Sequence, residues 1–408
     1  MQKSTGDVPR GMRTASFRVS SLAFCLLVAA APAPGQGLRV DGAPAALATL
    51  LARARAASPC SREPRATAEA TLARLRLGDP AGAAALWAAP IDGPDAAQWD
   101  AIAHFWYLRA TGDAATVRAR WPRLRRGLEQ TVADADPPPS FAAGALQAHA
   151  RFAFAALGER LGEPTGATQS WRERALQVWL ELERQTWQPG RGHYRPLPTN
   201  GALRLPERPD DSVLAPAAAG WLVATGDRFE GHLRSALPAL LAAPVADARA
   251  AAWQLAAAAQ LGERAHLDAA WQRLPFDVRG AAHGAVLDAA LFALTGLRLA
   301  TGAGVDEHGV RLRPWLPPDV RWLRCDDLRG EGASLDLELT VRSGALEPDE
   351  LGEAALASTV GSRRLRATVH LRATVDQRPR TILLQGPTAT YVVPMQPGDR
   401  ITRSLPCP

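Results

Sequence analysis

The chain has 408 residues, of which 47% are hydrophobic, so it can form two or three domains around a large core. Its net charge of +6 comes almost entirely from arginine, and no arginine-rich block alternates with aromatic residues, so we do not expect nucleic-acid binding. Lys3 is the only lysine, which excludes Schiff-base catalysis and a phosphate-binding loop in the rest of the chain, and we expect neither a cofactor nor a metal site.

The N-terminal segment has the pattern of a secretory signal peptide. Basic residues precede an apolar run at 22–30, and small residues and prolines follow at 31–35. The run is too short to span a bilayer as a mature helix. We therefore predict a signal peptide at 1–35, a periplasmic or extracellular protein, and no stable membrane insertion after signal removal. An N-terminal membrane anchor is the alternative. Residues 36–42 are interpreted as a linker.

Residues 43–302 are predicted to be helical throughout, because apolar residues recur at intervals of three and four. The expected helices are 43–57, 64–77, 80–88, 95–111, 114–133, 140–161, 164–187, 211–225, 228–243, 247–261, 264–274 and 283–300. Six of them, which we call the inner helices, are rich in Ala, Trp and Phe and poor in charge. These are 64–77, 95–111, 140–161, 211–225, 247–261 and 283–300. A helix with such a broad apolar surface is buried on more than one side, whereas its amphipathic partners face water.

A short phrase separates each inner helix from the helix that follows it. It consists of a small or apolar residue, a glycine and an acid, as in Ala110-Thr111-Gly112-Asp113. The glycines of the phrase are Gly78, Gly112, Gly162, Gly226 and Gly262, and a last copy at Gly302 lacks the acid. Glycine supplies the left-handed residue that ends a helix, and the acid can cap the next helix. Inner and outer helices that alternate across such turns predict a closed ring of six helical hairpins, an (α/α)6 toroid.

The sequence pattern changes after residue 302. Apolar and polar residues now alternate, as in ASLDLELTVR and RRLRATVHLRATV, which is typical of half-buried strands. We predict that residues 303–408 form a small antiparallel β-sandwich domain. The fold class is therefore mainly α, with the ring at 43–302 followed by the sandwich.

The cysteines allow one disulfide in an oxidising compartment. If Cys25 leaves with the signal peptide, then Cys60, Cys325 and Cys407 remain, and an odd number leaves one free thiol. Cys325 and Cys407 are the favoured pair because both fall in the C-terminal region, although the sequence does not decide the pairing.

Three stretches resemble the six-hairpin glycosidases, a superfamily that includes glucoamylase-like, debranching-enzyme-like and disaccharide-phosphorylase-like proteins. Residues 95–129 are similar to an Asp-x-x-x-Trp inner helix with a Thr-Gly-Asp turn and a Trp-Pro step. The segments TWQPGRGHYRP and PDDSVLAPAAAGWLVATGD look like a loop and the next inner helix, and residues 293–342 look like the junction from ring to sandwich. The resemblance implies carbohydrate substrates and inverting acid/base chemistry. The chain departs from the superfamily by lacking an acid at the start of the 140–161 helix and near the last inner helix.

Inner helices of such a ring run parallel, so their N-termini meet at one end, which we call the mouth. Partial positive charge collects there and favours carboxylates and sugar hydroxyls. Inverting hydrolysis needs a protonated acid and a carboxylate about 6.5–9.5 Å apart. We predict Asp95 as the acid, because the resemblance implies an acid at that position, and Asp211 as the base. Helix N-caps alone would also account for both residues.

Further candidates for sugar contacts stand near the inner-helix N-termini or in the long loop at 187–210. They are Asp92, Trp99, Trp187, His193, Tyr194, Asp210 and His283. Trp99 lies one turn after Asp95 on the same helix face, where its indole could stack on the apolar face of a sugar ring. A buried packing role is the alternative for His283.

The sequence therefore predicts a secreted, glycoside hydrolase-like protein that acts on an oligosaccharide or an α-glucoside. The alternative is a non-catalytic, carbohydrate-binding relative that has lost its catalytic carboxylates. A helical toroid of the lyase or cyclase type ranks last, because the chain has only three Tyr and no DDxxD run.

Overall fold

The computed structural model describes residues 38–41, 45–56, 63–88, 92–93, 95–133, 141–194, 214, 226–297, 309–343, 363–386 and 389–406. These residues belong to one compact unit, Gly37–Pro408. The predicted signal peptide lies outside them. Among the helices that the structure describes, none combines the length and the apolar character needed to cross a membrane.

The helices follow the predicted periodicity. They are α1 (Ala45–Ala56), α2 (Pro64–Arg76), α3 (Pro80–Leu86), α4 (Ala96–Thr111), α5 (Ala114–Ala133), α6 (Phe141–Leu161), α7 (Thr165–Thr186), α8 (Gly226–Ala242), α9 (Ala248–Leu261), α10 (Arg264–Gln272) and α11 (His283–Thr295). Local signals set several of the starts. Pro64 and Pro80, for example, each occupy the first helical turn, where a missing N–H costs no hydrogen bond.

Five of the six predicted inner helices, α2, α4, α6, α9 and α11, stand in a row. The sixth, at 211–225, lies outside the described residues apart from the buried Leu214. Helix α2 packs between α4 and α11, and α6 and α9 extend the row on either side. Arg249, at the start of α9, contacts Glu63 before α2 and the carbonyl of Ala281 before α11, so these three helices begin at the same end. Within the described part of the chain, the ring of parallel inner helices is confirmed.

Four of the six glycine phrases form the predicted turns, while Gly226 is the first residue of α8. Gly78, Gly112, Gly162 and Gly262 have φ values of 73°, 72°, 83° and 67°. Asp79 caps α3 by accepting a hydrogen bond from the N–H of Gly82, and Asp113 does the same for α5 through the N–H of Thr116. These two acids therefore have the capping role that the sequence predicted.

The last inner helix ends earlier than predicted. Helix α11 stops at Thr295, and Gly296 follows it with a φ of 59°. The prediction of a helix to residue 300 was wrong, because Gly296 ends the helix directly after Thr295. Gly302, where the turn was predicted, lies outside the described residues.

The strands form two main sheets. They are β1 (Leu38–Asp41), β2 (Trp187–Gln188), β3 (His193–Tyr194), β4 (Gly309–Leu312), β5 (Trp322–Gly330), β6 (Ala333–Ser343), β7 (Arg363–Thr374), β8 (Arg380–Gln385), β9 (Thr390–Met395) and β10 (Arg400–Pro406). The larger sheet has the order β1-β5-β6-β7-β10 and the smaller one β4-β8-β9, while β2 and β3 form a separate hairpin. Their inward side chains join one core with the helices.

Three details of the sandwich differ from the prediction. Residues 38–41, interpreted as part of a linker, form the edge strand β1, which pairs with β5. The run Leu38-Arg39-Val40-Asp41 alternates apolar and polar residues, at the shortest length for which a period of two indicates a strand. Strand β4 pairs with β8 in parallel rather than antiparallel, and strand β10 was not expected.

The glycine turns rest on the sandwich. A Cβ atom added to Gly78 would lie 2.6 Å from the carbonyl oxygen of Asp327, and one added to Gly296 would collide with the backbone of Arg313. The turn between β5 and β6 reaches the same rim, where the buried Glu331 pairs with Arg109 of α4 and with Arg160 of α6. The turns are therefore short and glycine-based for two reasons: helix termination and close approach of the second layer.

Cys325 is a free, buried thiol on β5. In the sheet, Cys325 pairs with Leu337 of β6, Leu337 with Val369 of β7, and Val369 with Ile401 of β10. Ile401 is therefore three strands away from Cys325. Strands stand about 4.8 Å apart, and Pro406 lies five residues further along β10. Pro406 therefore lies well beyond the distance of about 6 Å that a disulfide needs between Cα atoms. Cys407 itself lies outside the described residues. The favoured Cys325–Cys407 pair is wrong, because Cys325 is a free thiol.

Candidate functional site

A narrow cavity runs along the interior of the ring from the mouth. Its volume is about 30 Å3, room for one or two ordered water molecules. It is lined by Arg65, Glu69, Leu72, Trp99, Trp106, Ala252, Trp253, Ala256, Ala285, Asp288 and Ala289. Arg65, Trp99 and Trp253 stand in the first two turns of their helices, so they form the end of the cavity nearest to the mouth.

An ion-pair network closes the outer part of the cavity. The carboxylate of Glu69 lies 3.1 Å from Nε of Arg65 and 3.2 Å from Nε of Arg249. Arg249 also approaches Glu63 at 3.5 Å. The guanidinium of Arg65 lies over the indole of Trp253, 4.2 Å from the ring centroid. Two arginines thus hold one glutamate between two aromatic side chains at the entrance to the ring.

Burial dominates the protonation of this network. Desolvation raises the pKa of Glu69 even though Arg65 and Arg249 oppose the shift. Desolvation also lowers the pKa of Arg65, against the influence of Glu69. A carboxyl group that is easier to protonate than usual therefore faces the interior of the ring.

A second ion pair lies deeper in the same cavity. Nε of Arg76 is 2.6 Å from the carboxylate of Asp288, and both side chains are less than 10% exposed. Arg76 also donates to the carbonyl of Leu297 and lies over the ring of Phe292. Burial raises the pKa of Asp288, opposed by Arg76. This pair joins the end of α2 to the middle of α11.

Asp95 stands at the mouth, immediately before α4. Its backbone is left-handed, with a φ of 60°, and its side chain makes no capping hydrogen bond. The capping interpretation is therefore wrong for Asp95, whereas Asp247 at the start of α9 does cap, accepting from the N–H of Ala250 at 2.8 Å. Asp95 is exposed, yet partial desolvation raises its pKa. Its carboxyl group is thus available for a ligand.

Other predicted residues lie close to Asp95. Trp99 is one turn further along α4 and lines the cavity, with the guanidinium of Arg65 at 5.6 Å from its ring centroid. Asp92 is exposed three residues before Asp95. His283 is the first residue of α11, half-buried, beside Gly284, where α11 touches the backbone of α2. The structure thus brings these candidates to the mouth.

Trp187, His193 and Tyr194 are not among the residues that line the cavity. They form the β2–β3 hairpin, which packs on α8. Trp187 stacks on the imidazole of His232 with 3.6 Å between ring centroids. Tyr194 is 1% exposed, and its hydroxyl lies 2.8 Å from Nδ1 of His232. Tyr194 therefore packs inside the protein and offers no face to a sugar.

The predicted base, Asp211, and its neighbour Asp210 lie outside the described residues. The separation of Asp95 and Asp211 therefore stays a prediction. No group of three or more potential metal ligands occurs in the described part of the chain.

Sequence reasoning missed Arg65, Glu69, Arg249 and Trp253. A signal for two of them was present: Arg65 and Glu69 stand one turn apart on a helix predicted to be inner and poor in charge. A charged pair at that spacing on a buried helix points to the ring interior. Arg249 and Trp253 share the same spacing on the α9 segment.

Solved structures of three glycoside hydrolases resemble this chain. One is a GH78 family rhamnosidase of Bacillus sp. GL1, with a TM-score of 0.52 and 14% identity over 76% of this chain and 41% of that protein. Another is a Streptomyces avermitilis α-L-rhamnosidase complexed with L-rhamnose, with a TM-score of 0.54 and 12% identity over 90% and 42%. The third is an α-L-rhamnosidase from Dictyoglumus thermophilum, with a TM-score of 0.54 and 9% identity over 90% and 50%.

The chain has the fold of the six-hairpin glycosidases. The predicted resemblance is confirmed at this level, because those rhamnosidases combine a helical toroid with β domains. The chain spans half of their length or less. No protein-family model and no curated protein matches the sequence.

Proposed function

We propose that this protein is a secreted, glycoside hydrolase-like protein that binds a saccharide at the mouth of the ring. One observation carries the proposal: Asp95, free of any capping role, stands one turn above the indole of Trp99 at the entrance of a six-hairpin ring. The likeness to α-L-rhamnosidases supports carbohydrate as the class of ligand. The cavity itself is too narrow for a sugar ring, so the saccharide binds above Trp99 and Trp253.

Asp95 is the proposed general acid. Desolvation raises the pKa of its carboxyl group, which is the direction that a general acid needs. Asp211 is the proposed base that activates water on the opposite side of the scissile bond. The proton leaves Asp95 for the departing oxygen while the base takes a proton from water. Activity then falls on the alkaline side as Asp95 loses its proton.

The test is hydrolysis of a panel of 4-nitrophenyl glycosides, including the α-L-rhamnoside and the α-D-glucoside. We expect Asp95→Asn to lower kcat about 100-fold or more, because a general acid contributes roughly that factor. Asp247→Asn is the matched control, also at the mouth. Asn caps a helix as well as Asp does, so the kcat of this variant stays at the wild-type level. Equal turnover by Asp95→Asn and wild type would remove Asp95 from the mechanism.

One observation favours a second function, carbohydrate binding without catalysis. Both carboxylates that line the described cavity, Glu69 and Asp288, are held by arginines at 2.6–3.2 Å, and neither is free to act on a sugar. Glycan-array binding that is lost in Trp99→Ala, together with no product from any glycoside bound, would establish this function over hydrolysis.

A further inference from the structure

A second cavity lies where the glycine rim meets the sandwich, at the opposite end of the ring from the mouth. Its volume is about 370 Å3, within the range of small-molecule sites. Its polar lining consists of Arg234, Arg311, Arg313, Glu230, Glu263 and Gln385, and we call it the arginine pocket. Leu261 and Gly262 complete the wall. The residues come from α8, from the α9–α10 turn and from the smaller sheet, so only the folded assembly of both layers creates it.

The arginine pocket contains more arginines than carboxylates to neutralise them. Arg234 pairs with Glu263 and, at 3.3 Å, with Glu230. Neither Arg311 nor Arg313 comes within ion-pair distance of a carboxylate among the residues that the structure describes. Three guanidinium groups therefore share two carboxylates, both of which Arg234 already engages.

Two polar atoms of the pocket are buried without a hydrogen bond in the described structure. They are Nε of Arg311 and the side-chain oxygen of Gln385. Buried polar atoms are nearly always satisfied by protein or by a bound molecule. Arg313 makes one long hydrogen bond, 3.4 Å, to the carbonyl of Gln260. Burial lowers the pKa of Arg313, and the neighbouring Arg234 and Arg311 add to the shift, while Glu230 and Glu263 oppose it. An oxyanion would relieve this unfavourable arrangement.

We propose that the arginine pocket binds a small polyhydroxylated molecule that carries an oxyanion, such as a uronic acid or a sugar phosphate. Arg311 and Arg313 donate to the oxyanion, since a guanidinium matches carboxylate and phosphate oxygens in a two-bond geometry. Glu230, Glu263 and Gln385 accept hydrogen bonds from the hydroxyl groups. The volume exceeds what a bare anion fills and suits a monosaccharide. The site is separate from the mouth and does not depend on the activity proposed there.

The test is isothermal titration calorimetry of the full chain with D-glucuronate, glucose 6-phosphate, inorganic phosphate and glucose. We expect both sugar anions to bind, glucose not to bind, and inorganic phosphate to bind about tenfold more weakly than the sugar phosphate. Failure of both sugar anions to bind would overturn the proposal, as would equal binding of glucose. Equal affinity for phosphate and sugar phosphate would overturn the role of the hydroxyl contacts.

Four variants locate the binding. Arg311→Gln is expected to weaken both sugar anions about tenfold or more, whereas Arg366→Gln, an exposed arginine on β7 of the same sandwich, leaves affinity unchanged. If Arg311→Gln does not fold, Arg234→Gln on α8 is the second test: it leaves Glu230 and Glu263 without their positive partner, so it should also weaken both sugar anions. Asp95→Asn leaves this binding intact, so failure here is distinguishable from failure at the mouth. Equal losses in Arg311→Gln and Arg366→Gln would contradict the assignment.

Discussion

His149 lies in the middle of α6 with 4% of its surface exposed, beside the ring of Phe105 on α4. Desolvation lowers the pKa of this imidazole well below its usual value. The neutral form is therefore favoured in the folded protein, whereas the unfolded chain takes up a proton near pH 6.5. Below that pH the unfolded state binds more protons than the folded state, so folding stability falls as the pH falls.

This single residue predicts a pH dependence of stability. The free energy of unfolding of the wild type should decrease, relative to that of His149→Gln, by about 1.4 kcal/mol for each pH unit below about 6.5. Urea unfolding of both proteins at several pH values between neutral and mildly acidic measures the difference. A difference that stays constant with pH would show that the folded and unfolded states bind the proton of His149 equally, which would contradict the lowered pKa.

The glycine turns within the hairpins are fixed both by their own backbone conformation and by contacts with the sandwich. Gly78 and Gly162 have similar left-handed backbones, with φ values of 73° and 83°. A Cβ on Gly78 would lie 2.6 Å from a carbonyl oxygen of the sandwich, whereas one on Gly162 would meet nothing within 4 Å. The two positions therefore separate backbone strain from the cost of close approach.

Replacing these glycines with alanine should give unequal effects. We expect Gly162→Ala to cost about 1 kcal/mol of unfolding free energy, the strain of a left-handed residue with a side chain. Gly78→Ala carries the same strain and must also displace the backbone at Asp327, which should add about 2 kcal/mol. Chemical denaturation of the two variants measures both values, and equal losses would refute the proposed contact with the sandwich.

The same elements explain what the sequence could and could not predict. Helical periodicity and the Gly-acid phrase depend on neighbours within a few residues, so the helices that the structure describes were predictable to within a few positions. The inner helix at 211–225 stays a prediction. The turn at Gly296 was missed because Ala300-Thr301-Gly302, six residues later, matches the Ala-Thr-Gly of the phrase at Gly112 more closely. The pair Arg65–Glu69 was visible as a spacing, but its partner Arg249 comes from a helix 180 residues away, and only the closed ring brings them together.

At the scale of the whole molecule, the ring and the sandwich share one core and a buried charged contact. Glu331, 7% exposed, reaches from the β5–β6 turn to Arg109 and Arg160 at the ends of two inner helices. Separating the layers would leave this carboxylate without its partners and expose the glycine turns. Such contacts make independent unfolding of either layer costly.

We therefore expect both layers to unfold in one transition. In a chain whose other cysteines are replaced by serine, the buried Cys325 thiol reports on the sandwich, because burial raises its pKa and keeps it unreactive. Far-ultraviolet circular dichroism reports on the helices. The urea midpoints of thiol labelling and of helix loss should coincide, and labelling at lower urea than helix loss would contradict the shared core.

Strand β1 has a consequence for how the chain is made. Leu38 of β1 pairs with Cys325 of β5. Because β5 follows the helices of the ring in the sequence, it is translated only after them. On the ribosome the first strand therefore emerges nearly three hundred residues before its partner exists. The helical hairpins can assemble from near neighbours in the meantime. The ring is thus an insertion between two strands of one sheet. Pairing of β1 with β5 is the step that brings the residues before and after the ring together.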